Sequence, residues 1–118
     1  MKKTNFGEFI KGYRRANKIL LKQMADALGF SSAFLSSIEN GNKPIPQGIE
    51  QKLVNSFSFS EQDKERLFES VDTTRTQSTI TIPQNSLDQM IVGAFCRNFN
   101  ELDDAKKQEL LNLLKGAK

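Results

Sequence analysis

Histidine and tryptophan are absent from these 118 residues, and cysteine and tyrosine occur once each. Without imidazole the commonest general acid and base is gone, and a single thiol builds neither an intramolecular disulfide nor a zinc site. Most metalloenzyme and Cys-His nucleophile chemistries are thereby excluded, and no metal, cofactor or enzymatic activity is expected. Long hydrophobic runs are lacking too: the longest aliphatic stretch is Ile19 to Leu21, and no apolar segment follows the lysines of the opening MKKTNFGEF. A secretory leader or membrane span is therefore not expected, and the chain reads as cytoplasmic, in a reducing compartment. Gly41 and Gly48 lack the GK[ST] pattern of a phosphate-cradling nucleotide loop. Asp103 and Asp104 do not make a catalytic pair, because adjacent helical side chains diverge by about 100°. They suit a helix N-terminus instead.

What is present fits one small domain with an appendage. Hydrophobic residues make up 37% of the chain and charged residues 26%, and nine Phe can fill a core. The net charge of +3 is unevenly spread. Residues 1 to 58 hold nine Lys/Arg against four Asp/Glu, net +5; residues 59 to 72 are net −3; residues 73 to 118 are net +1. A basic front half suits a polyanionic partner.

Phe6, Phe9, Ile10 and Tyr13 recur at helical spacing, predicting a first helix over residues 4 to 17. KQMADAL predicts a short second helix with Met24, Ala25 and Leu28 inward, left at Gly29. Ser31 can cap a third helix from Ser32 to Asn40, stopped by Gly41 and the prolines of NKPIP. Ile49, Leu53, Val54 and Phe57 mark a fourth, and Ser60 with Asp63 resembles a capping box opening a fifth through Leu67, Phe68 and Val71. The composition then changes. DTTRTQSTITIP reads as an extended linker or short strand, which places a boundary near Asp72 and divides the chain into residues 1–72 and 73–118. Ser86 with Gln89 predicts a capping box for a helix reaching about Phe99, and a last helix starts at Asp103 and Asp104 and ends near Gly116. The fold class is all-α.

The informative segment is LKQMADALGFSSAFLSSIEN, residues 21 to 40. Two short helices cross steeply only if a small residue sits where they meet and the turn between them tolerates positive φ. Ala25 and Gly29 stand in those roles. On the second of these helices Ser32, Ala33, Ser36, Ser37 and Asn40 share one face, opposite Leu35 and Ile38. A face that only meets solvent is better served by Glu, Lys, Gln or Arg, which favour helix more than Ser does. Short polar side chains beside an alanine suit close approach to base edges, since Ser donates or accepts and Ala can meet a thymine methyl.

The stretch from Phe6 to Val71 resembles the five-helix domain of the lambda-repressor-like, Cro-like family, the xenobiotic-response-element group of bacterial and phage regulators. The residues that carry the resemblance are Arg14, KQMADALGFS, and FLSSIENGNKPIP. It implies a helix-turn-helix domain that reads double-stranded DNA in the major groove, and an ion pair between Arg14 and Glu39. It further implies phosphate contacts from Lys22, Gln23, Asn40, Asn42 and Lys43, and base contacts from Ser32, Ala33 and Ser37 with Ser36 close by. Two positions depart from the family pattern. Leu20 stands where a capping Thr or Ser is usual, leaving helix N–H groups to water or phosphate, and Leu21 replaces a Gln that usually touches DNA.

The helix from Leu87 to Phe99 is apolar on two sides, with Leu87, Met90, Ile91 and Ala94 on one and Val92, Phe95, Cys96 and Phe99 on the other. One side can meet Leu110, Leu113 and Leu114. The other needs a partner, and a dimer interface including Ile80 and Ile82 is expected, with Thr79 to Ile82 able to pair as a short edge strand. Cys96 is expected to be a buried structural thiol there. The reading that results is a homodimeric transcriptional regulator, a repressor, binding an inverted-repeat operator. Two alternatives stay open: an antitoxin whose residues 73 to 118 mask a toxin, and a protein-interaction module that has lost DNA binding.

Overall fold

The computed structural model describes residues 3–116; Met1 and Lys2 of the basic opening lie outside them. Seven α-helices follow one another: α1 (Asn5–Ala16), α2 (Leu21–Leu28), α3 (Ser32–Glu39), α4 (Ile49–Ser56), α5 (Glu61–Asp72), α6 (Ser86–Asn98) and α7 (Asp104–Leu114). A single 3-10 turn, Phe99–Glu101, continues α6. Among the described residues there is no strand, so the fold is all-α, and Thr79 to Ile82 run irregularly because the chain offers them no strand to pair with. No described helix is long and apolar enough to cross a membrane.

The chain divides into two units, the first ending at Thr79 and the second beginning at Ile80. In the first, α1 packs on α3 and α5, α2 on α3 and α4, and α4 on α5. Their inward stripes meet in one core: Phe6 and Ile10, Met24 and Ala25, Leu35 and Ile38, Ile49 and Leu53, Leu67 and Val71 are all essentially inaccessible to solvent. Each large side chain buried in this way contributes roughly 1.5–3 kcal/mol from the removal of apolar surface from water. Phe68, on the same predicted stripe as Leu67 and Val71, instead remains partly exposed.

Local chemistry fixes where the helices begin and end. Thr4, Ser31 and Ser60 cap α1, α3 and α5 through their hydroxyls, which accept the N–H of Gly7, Phe34 and Asp63. Leu20 has no acceptor to offer α2, but Gln23 Oε1 accepts the Leu20 N–H at 2.7 Å and ties down the helix entry from the other side. Gly29 (φ +77°) closes α2, with Phe30 N–H on the Ala25 carbonyl and Gly29 N–H on that of Asp26. Gly41 closes α3 in the same pattern, through Asn42 to Ser37 and Gly41 to Ile38. Close approach makes its own demand at Gly7: a Cβ there would lie 2.0 Å from the Glu39 carbonyl oxygen, so α1 and α3 touch backbone to backbone.

The first unit extends seven residues past the composition boundary at Asp72, because residues 73 to 79 fold back onto it. Thr74 Oγ1 accepts the otherwise orphaned N–H of Phe6 in the first turn of α1, at 3.0 Å. Arg75 pairs with Glu50 at 3.2 Å and donates to the Pro46 carbonyl at 2.9 Å. In the loop between α4 and α5, the Ser58 carbonyl accepts from the Tyr13 hydroxyl, and Phe59 stacks on the Tyr13 ring with centroids 4.3 Å apart. Burial, with a smaller contribution from the Asp63 carboxylate, pushes the Tyr13 phenol above its usual range.

The second unit is built differently from expectation. Asn85, not Ser86, caps α6, its side chain accepting from Leu87 and Asp88 N–H, while Asp103 caps α7 through Lys106. No residue of α6 or α7 is buried. Leu110, Leu113 and Leu114 stand at i, i+3 and i+4 on one side of α7, yet Leu113 and Leu114 remain exposed and do not cover α6. Cys96 is likewise exposed, correcting the expectation of a buried thiol: two short helices supply too little apolar bulk to enclose it.

Candidate nucleic-acid interface

The candidate site begins with α3, whose orientation is set on its inner face. Leu35 and Ile38 enter the core, and Glu39, its side chain only 2% exposed, meets Arg14 of α1 in a two-pronged pair, Nη2 to Oε1 at 2.8 Å and Nε to Oε2 at 3.2 Å. The Arg14 side chain is 17% exposed. A second tie runs parallel to the first: Lys11 Nζ donates to Asn40 Oδ1 at 2.8 Å, and Asn40 Nδ2 lies 3.4 Å from Ser36 Oγ. Helix α1 thus holds the C-terminal end of α3 at three places: Gly7 by contact, Lys11 by hydrogen bond and Arg14 by charge.

The opposite face is free. Ala33 is exposed, and Ser32, Ser36 and Ser37 are half-exposed along one side of the helix. Among the described residues, neither the Ser32 nor the Ser37 hydroxyl makes a hydrogen bond, whereas the buried Ser70 hydroxyl donates to its own helix backbone. The outer surface of α3 therefore carries short polar groups with unspent hydrogen-bonding capacity.

The expected phosphate contacts divide by what already occupies them. Lys43 and Asn42 are exposed in the loop after α3, but both backbone N–H groups bond to the Ser37 carbonyl, at 3.2 and 2.8 Å, so only their side chains are available to a ligand. Lys22 is exposed and lies 3.6 Å from Asp26 one turn along α2, a surface pair too weak to hold it back. Gln23 spends its carbonyl oxygen on the Leu20 N–H and keeps its amide N–H groups. Asn40 is committed to Lys11 and Ser36, which makes it a bracket between α1 and α3 more than a free contact.

Three contributors escape sequence reasoning. No motif singles out Gly7 or Lys11, and Arg75 falls in the segment that reads as a linker. A signal for the last does exist, since Arg75 is the only charged residue between Asp72 and Asp88. Among the described residues no group of His, Cys, Asp or Glu gathers to hold a metal ion. The proposed dimer residues of the second unit lie open: Ile80, Ile82, Phe95, Cys96 and Phe99 are exposed and Val92 half-buried. Phe95 and Phe99 pack on each other, centroids 5.0 Å apart, with Lys107 over the Phe99 ring. In comparisons with protein-family models, with curated proteins and with solved structures, nothing matches this chain.

Proposed function

We propose that this protein is a sequence-specific, double-stranded DNA-binding regulator of transcription, acting in the cytoplasm as a homodimeric repressor and not as an enzyme. In this reading α2 and α3 form a helix-turn-helix of the lambda-repressor-like kind, α3 enters the major groove, and Ser32, Ala33, Ser36 and Ser37 meet base edges. Lys22, Gln23, Asn42 and Lys43 flank it on phosphates. The observation that carries the reading is the contrast between the two faces of α3. Its inner face is tied to α1 by a buried ion pair and a backbone contact, and its outer face offers small polar side chains with unspent hydrogen-bonding capacity. Rigid placement of a low-profile polar helix is what base readout requires.

The homodimer is supported by the second unit, in which no residue of α6 or α7 is buried and Leu87, Met90, Ile91, Leu113 and Leu114 stand exposed. A two-fold dimer presents two copies of α3, so the operator should be an inverted repeat with half-site centres about 34 Å apart or a multiple of that. Selection of bound sequences from a random duplex pool tests the proposal: an inverted repeat is expected, and failure to enrich any sequence refutes it. The uncovered helices also suit the antitoxin reading, in which a toxin covers them. Sedimentation of the purified chain separates the two, because a self-sufficient dimer leaves that face no vacancy and a monomer favours a foreign partner.

A further inference from the structure

We propose that residues 73 to 79 form a strap that sets the loop after α3 for DNA, with Arg75 as its positioning residue. This rests on the DNA-binding reading above. The loop between α3 and α4 carries Asn42 and Lys43 and contains Pro44 and Pro46, which have no N–H to anchor it. Its first half is held by α3 itself, through the N–H groups of Gly41, Asn42 and Lys43. Its second half is held from outside. Arg75 Nη2 donates to the Pro46 carbonyl at 2.9 Å, and Gln47 Nε2 donates to the Thr79 carbonyl at 3.0 Å.

Arg75 is fixed in turn. Its guanidinium reaches both oxygens of Glu50, at 3.2 and 3.4 Å, and its side chain is only 10% exposed. Its own N–H bonds to the Val71 carbonyl, and its neighbour Thr74 accepts from the first turn of α1. One planar group therefore spans a carboxylate on α4 and a carbonyl in the loop, a geometry the single point charge of lysine does not reproduce. Between strap and loop lies an open groove of about 510 Å3, lined in part by Asn42, Lys43, Thr76 and Gln77. The two segments face each other along it, and the side chains expected on phosphate stand at its rim. Loss of the strap leaves Lys43 on a loop tethered at one end.

The test uses the full chain and two independent readouts. In free protein, amide hydrogen exchange at Lys43 and at Ile49, whose N–H groups bond to the Ser37 and Pro46 carbonyls, should quicken by about tenfold in Arg75→Ala while core amides of α1 and α5 keep their protection. On DNA, Arg75→Ala should bind about tenfold more weakly to operator and unrelated duplex alike, with a salt dependence flattened by roughly one unit, as for Lys43→Ala. Combined with Lys43→Ala it should add little. Arg75→Lys should recover stability but not the loop protection. If Arg75→Ala proves unstable through the stranded Glu50, the pair Arg75→Ala with Glu50→Gln carries the same expectations. Unchanged loop exchange overturns the proposal, as does faster exchange with affinity and salt dependence intact. A wild-type chain that binds no duplex at all refutes the DNA-binding reading itself, and the role with it.

Discussion

Substituting Glu39 by Ala tests how α3 is held. The pair it forms with Arg14 is nearly sheltered from water, at 2% and 17% side-chain exposure, with two hydrogen bonds of 2.8 and 3.2 Å. Attraction between the charges, on the order of 5 kcal/mol at an effective dielectric near 20, is largely offset by what each loses in leaving water. The intact pair therefore adds little net stability. Breaking it is different, since the remaining charge keeps its desolvation and loses its partner. Glu39→Ala should destabilise by about 3 kcal/mol, the low end of the range for a broken buried pair, because the longer Arg14 side chain can partly reach solvent. Arg14→Ala should lose more, about 4 kcal/mol, since Glu39 is the deeper of the two. Arg14→Met with Glu39→Leu should fall within about 1 kcal/mol of wild type. Equilibrium urea unfolding followed by far-ultraviolet circular dichroism reads all three. A loss below about 0.5 kcal/mol for Glu39→Ala would instead mark the pair as an exposed surface pair that does not hold α3.

Three further outcomes follow from the same contacts. Gly7→Ala puts a Cβ 2.0 Å from the Glu39 carbonyl oxygen and should destabilise by about 3 kcal/mol as α1 is forced off α3, whereas the unobstructed Gly12→Ala should be neutral or slightly stabilising; thermal melts of the two variants show the contrast. A phenol raised in the folded state keeps its proton longer there than in the unfolded chain, so its contribution is fully present below about pH 10 and is lost as pH rises through the folded value. Tyr13→Phe, read by unfolding at several alkaline pH values, should lose about 1 kcal/mol near neutrality for the Ser58 hydrogen bond and decline less steeply than wild type above pH 10. Truncation after Thr79 should leave a folded monomer by sedimentation, while truncation after Asp72 should be less stable by about 3 kcal/mol, since Glu50 and the Phe6 N–H lose their partners.

Periodicity made the first unit legible because its helices each bury a stripe: Phe6, Ile10 and Tyr13, or Ile49 and Leu53, declare their faces in the sequence. Caps at Ser31 and Ser60 were equally plain, since their hydroxyls act three residues away. Long-range polar contacts were not. Nothing local marks Arg75 as the partner of Glu50, 25 positions earlier, or Gln47 as the anchor of the Thr79 carbonyl. Ser86 offers itself as the cap of α6, but Asn85, one residue earlier, takes the role because it accepts from two N–H groups at once. In the second unit the pattern is apolar on two sides, yet no residue of α6 or α7 is buried.

If the outer face of α3 reads bases, a serine-stripped chain should differ from wild type in base preference. Sequence selection from a random duplex pool should be run on wild type and on the chain with Ser32, Ser36 and Ser37 all changed to Ala, in parallel and at several salt concentrations. Serine makes few two-pronged base contacts, so each should discriminate near the low end of about 1 to 3 kcal/mol, with DNA shape supplying part of the remainder. The variant should still bind duplex with a wild-type salt dependence but lose base preference at specific positions of each half-site. An unchanged selected sequence would contradict it, because α3 would then not be the reader.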